Sequence, residues 1–102
     1  MVLSRSDIAG IVQEALKEIG MTFADRPQME ATTIARVLEQ LKDVGGATWN
    51  PSPKMFTGLI VLLFLEKKNY PDGFKAGWFE TNSTKTIADL IDELNGDQID
   101  LG

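Results

Sequence analysis

One serine stands out as a residue that could do chemistry. Ser52 lies between Pro51 and Pro53 at the head of an apolar run that continues to Leu65. A serine there has two readings. Its oxygen can accept an N–H from the first helical turn, with Pro53 suited to the first helical position, where a missing N–H is no loss. Alternatively, its hydroxyl carries a group or attacks one. The usual activators are absent, because the chain contains neither histidine nor cysteine. That excludes Ser-His-Asp and Cys-His nucleophiles, and it removes the commonest general base and metal ligand. No disulfide, zinc finger or iron–sulfur site can form. Only carboxylates, lysines, one tyrosine and hydroxyls remain.

The carboxylates form no singled-out pair of the kind glycoside chemistry needs, since each falls at a helix end or on a polar face. The acidic stretch from Asp92 to Asp100 fails as a calcium loop. Counting from Asp92, its third and fifth positions are Leu94 and Gly96, where an EF-hand places oxygen ligands. Asp89, Asp92 and Glu93 are read as a solvated helix face, so no metal site is expected. The phosphate-cradling glycine patterns are also missing: Gly73 to Gly77 lacks the strand and helix that would flank such a loop. These absences predict no enzyme and no cofactor.

The 102 residues carry a formal charge of −5, with 43% apolar and 25% charged side chains. This is the composition of one folded domain spanning residues 1–102. Ten scattered basic residues in an acidic chain argue against nucleic acid. The longest apolar run, Leu59 to Leu65, is far short of the roughly 20 residues that span a bilayer. The first residues do not resemble a secretory signal. A cytoplasmic protein is expected.

The elements that position these residues read as helices. Ile8, Ile11, Val12, Ala15, Leu16 and Ile19 recur at helical spacing, giving a helix over 5–19 with Ser4 or Ser6 as cap and Gly20 as stop. Asp25 with Gln28, and Pro27, open a second helix over 27–44, with its stripe running from Ala31 to Val44. The third helix, 53–68, is apolar on nearly every side, which predicts that it is central. Phe74 and Trp78 suggest a short helical turn near 74–79. Thr86 and Asp89 resemble a capping box for a last helix over 85–95, with a loose tail over 97–102. The sequence shows no repeat and no strand alternation. The expectation is an all-α bundle of about four helices.

Two features suggest what the domain does. Trp49, Tyr70, Phe74, Trp78 and Phe79 gather in the irregular segments around the third helix. They are read either as core closure or as a patch that binds a protein partner. Arg36, Gln40 and Lys42 on the helix over 27–44 offer a helix-turn-helix reading, in which that element meets DNA.

Residues 52–96 resemble the later part of an acyl carrier protein. The shared order is a serine at a helix start, an apolar helix, an irregular segment holding Trp78 and Phe79, and the closing run from Thr86 to Leu94. The resemblance implies a helical fold, a phosphopantetheine arm on Ser52, and partner enzymes docking on the helix after it. The family's Asp-Ser-Leu motif is replaced by Pro51, Ser52 and Pro53, and the helix carries Lys54, Lys67 and Lys68 where carriers are acidic. The preferred reading is a small acidic helical protein-interaction domain, monomeric or homodimeric. A carrier modified on Ser52 and a DNA-binding regulator are the alternatives.

Overall fold

The computed structural model describes residues 2–43 and 52–102. The expected residue Trp49 lies outside the described residues. Helix α1 spans Arg5–Glu18. Its start is closed by a reciprocal pair: the Asp7 N–H donates to Ser4 Oγ at 3.1 Å, and the Ser4 N–H donates to Asp7 Oδ2 at 3.0 Å. Each bond satisfies a donor that the first helical turn leaves open. The helix stops where Gly20 takes φ +85°, a conformation that disfavours a side chain. Its stripe of Ile8, Ala9, Ile11, Val12, Ala15 and Leu16 is buried.

The helix expected over 27–44 is two helices, α2 (Arg26–Ala31) and α3 (Ile34–Asp43). Asp25 caps α2 as anticipated, accepting from the Gln28 N–H at 2.8 Å. The break falls at Thr32, which is extended at φ −70° and ψ 137°. Thr33 next to it forms an antiparallel bridge with Thr86. The Ile34 N–H donates to the Lys85 carbonyl at 2.8 Å, and the Ile87 N–H donates to the Thr32 carbonyl at 2.9 Å. Both amides belong to first turns, which lack internal partners. Pairing them across the bridge offsets the helical bonds lost at the break, and two β-branched residues suit the extended backbone.

Helix α4 spans Pro53–Glu66, strand β1 Asn69–Pro71, and helix α5 Gly77–Thr81. Helix α6, Ile87–Asp97, begins with the expected Thr86–Asp89 capping box and runs on through Asn95 and Gly96. Residues 98–100, read from sequence as part of a loose tail, form strand β2. It pairs antiparallel with β1, Tyr70 opposite Ile99. The Gln98 side chain ties this corner together. Its Oε1 accepts from the Leu3 N–H at 2.8 Å and from Asn69 Nδ2 at 3.1 Å, and its Nε2 donates to the Leu3 carbonyl at 3.0 Å.

The described residues thus hold six helices and a two-stranded sheet, a mostly helical fold more finely divided than a four-helix bundle. None of these helices is long and apolar enough to cross a membrane. The order also repeats. A serine-capped helix of 14 residues, a left-handed residue two positions beyond it, a short helix, a bridging threonine and a longer helix occur in each half. Thr33-Ile34-Ala35 and Thr86-Ile87-Ala88 carry the same three residue types at matching places. The repeat is one of structure first, with only this short echo in the residues.

The depth of α4 is the main correction. Helix α1 is the central one, packed against both α4 and α6. Helix α4 buries only Phe56, Ile60 and Phe64, a single stripe, against α1, α5 and β1. Its apolar content exceeds what the fold covers.

Candidate functional site

Helix α4 begins at a side-chain cap. Ser52 Oγ accepts the Met55 N–H at 3.2 Å, and Pro53 occupies the first turn. This sets the helix start. Phe56, Ile60 and Phe64 are spaced by four and point to the core. Met55, Leu62 and Leu65 then fall on the opposite side, exposed at 44%, 61% and 43%. Gly58 lies among them, and a Cβ there would meet nothing within 4 Å. The result is an apolar surface with a shallow opening at its centre. Where α4 meets α1 and α3, it forms one side of a groove of about 650 Å³ lined by Ile19, Leu41, Met55, Gly58, Leu59 and Leu62. Scattered exposed apolar side chains are ordinary, but several on one helix face form a patch of the kind found at contact sites.

No protein-family model, no curated protein and no solved structure matches the chain.

The aromatic residues are divided by the fold. Phe74 and Phe79 lie in the core. Phe79 stands 5.5 Å from Phe56 and 5.6 Å from Phe74, centre to centre, the latter edge-on. Trp78 is half-buried against both Phe74 and Phe79. These spacings are those of packed aromatic pairs. Tyr70 on β1 is exposed. Closure of the core accounts for Phe74 and Phe79, while Tyr70 and the open side of Trp78 reach solvent.

The residues of the DNA reading, Arg36, Gln40 and Lys42, all lie on α3, and Arg36 and Gln40 line one opening beside Gly20 and Gln28. Gln40 Nε2 donates to the Ile19 carbonyl at 2.9 Å, fastening α3 to the end of α1. Arg36 lies 4.0 Å from Glu39 on its own helix. The most engaged cation is Arg5, 2.6 Å from Glu30 and 2.9 Å from Asp92, which joins α1 to α2 and α6. The hydrogen bond it donates to Glu30, and then that to Asp92, raise its affinity for its proton further. The capping carboxylates shift the other way. Asp7 is held below the usual carboxylate range by the Ser4 backbone N–H, and Asp89 by that of Thr86. Among the described residues, no three acidic side chains gather as a metal site.

The sequence pointed to the aromatic residues as a patch and placed α4 at the centre, so the exposed face of Met55, Gly58, Leu62 and Leu65 was not anticipated. A signal was present. A helix within one domain that is apolar all round has more such surface than one core-facing stripe can use.

Proposed function

We propose that this protein is a non-enzymatic protein-interaction module that docks through the outer face of α4. The observation that carries the reading is the exposure of Met55, Leu62 and Leu65 around an open Gly58 on a helix whose core stripe is already complete. Apolar surface left in water by a folded monomer is stabilised when a partner covers it. The absence of histidine and cysteine from the sequence supports binding over catalysis. A photo-activated cross-linking side chain placed at position 62 tests this in the native cell, with position 93 on α6 as the exposed control. Discrete cross-linked products are expected at 62 and none at 93. Equal labelling at both positions counts against the reading.

A further inference from the structure

The exposed residues of α4 are Lys54, Met55, Gly58, Leu62, Leu65 and Glu66. Their order is the same from either end: a charge, an apolar side chain, an inner pair of Gly58 and Leu62, an apolar side chain, a charge. Ile60 is the midpoint and is fully buried, facing away from this surface. A two-fold axis crossing the outer face at the level of Ile60 sets the helix antiparallel to its copy. Met55 of one then lies level with Leu65 of the other, and Gly58 with Leu62. The open space over Gly58 is a hole for the Leu62 side chain.

Charge follows the same symmetry. Lys54 and Glu66 occupy the two ends of the row of residues 54, 58, 62 and 66, which forms one ridge of the helix. Laid antiparallel beside its copy, that ridge brings Lys54 to Glu66 twice. Among the described residues neither side chain makes an ion pair within its own chain. A self-complementary patch is what a two-fold dimer requires, because both subunits offer the same surface.

We infer that the partner on this face is a second copy of the same chain, joined through antiparallel α4 helices. The inference rests on the docking reading above and names its occupant. Sedimentation and light scattering over a concentration series test it. The wild type is expected to reach twice the chain's 11.2 kDa. Lys54→Glu or Glu66→Lys alone sets like charges together twice per dimer and is expected to raise the dissociation constant about tenfold. The double reversal restores opposite charges and returns it to within about threefold of wild type. Leu62→Glu leaves a monomer with unchanged helical circular dichroism.

A wild type that stays at 11.2 kDa up to about 1 mM overturns the inference. So does a dimer in which the double reversal is no better than either single change. A monomeric chain that cross-links another protein at position 62 overturns the dimer and leaves the docking reading standing. No contact of either kind there overturns both.

Discussion

Two neighbouring residues of α4 give opposite expectations. Ile60 is fully buried and Leu62 is 61% exposed, although both are large aliphatic side chains on one helix. Ile60→Ala deletes three buried carbons. At about 0.8 kcal/mol each this is about 2.4 kcal/mol, and the cavity left behind raises it to about 3–4 kcal/mol. A domain of this size is stable by roughly 5–15 kcal/mol, so much of the total is lost. The melting temperature is expected to drop by at least about 12 °C. Leu62→Ala should change the stability of the isolated chain by no more than about 0.5 kcal/mol. Urea titration followed by tryptophan fluorescence, at concentrations where the chain is a monomer, measures both. Equal losses for the two variants would refute the placement of α4 at the edge and restore the sequence reading of a central helix. Equal small losses would refute the burial of Ile60.

The Thr33–Thr86 bridge predicts slow hydrogen exchange at the Ile34 and Ile87 amides, which donate across it. Exchange at Ile34 as fast as in an open loop would contradict the bridge. Stability should fall at acid pH. Asp7 and Asp89 have folded-state pKa values lowered by backbone hydrogen bonds, so they stabilise the fold above the usual carboxylate pKa near 4. That contribution is lost as pH falls through their folded values. Asp7→Asn with Asp89→Asn should flatten this acid limb of the stability curve, and an unchanged limb would contradict the assignment. Ser52→Ala should cost about 1 kcal/mol through the lost cap, seen in urea titration. Incubation with a phosphopantetheinyl transferase and coenzyme A should leave the mass of the wild type unchanged. A mass gain at Ser52 would instead establish the carrier reading.

How much could be read from residues alone differs from element to element. Helices α1 and α6 were legible because each combines an apolar stripe with a local start signal, a serine cap for α1 and the Thr86–Asp89 capping box for α6. The break between α2 and α3 was not. The stripe continues on both sides of Thr32, and the interruption arises from Lys85 and Thr86, which are remote in sequence. Strand β2 escaped notice for the same reason, since three residues carry no periodicity and its register is set by β1. The hydrophobicity of α4 was plain, but hydrophobicity states how much surface seeks cover and not what supplies it. The aromatic side chains likewise stood out in the sequence, but only the fold shows that two of them, Phe74 and Phe79, close the core.

The bridge between Thr33 and Thr86 has a consequence for the order in which the chain can fold. The contact joins residues half the chain apart, so its loop must close before the bridge can form. Until the second half arrives, the bonds from Ile34 to the Lys85 carbonyl and from Ile87 to the Thr32 carbonyl are unmade, and the open amides at the break lack these partners. The break between α2 and α3 is therefore completed only when the two halves of the chain meet.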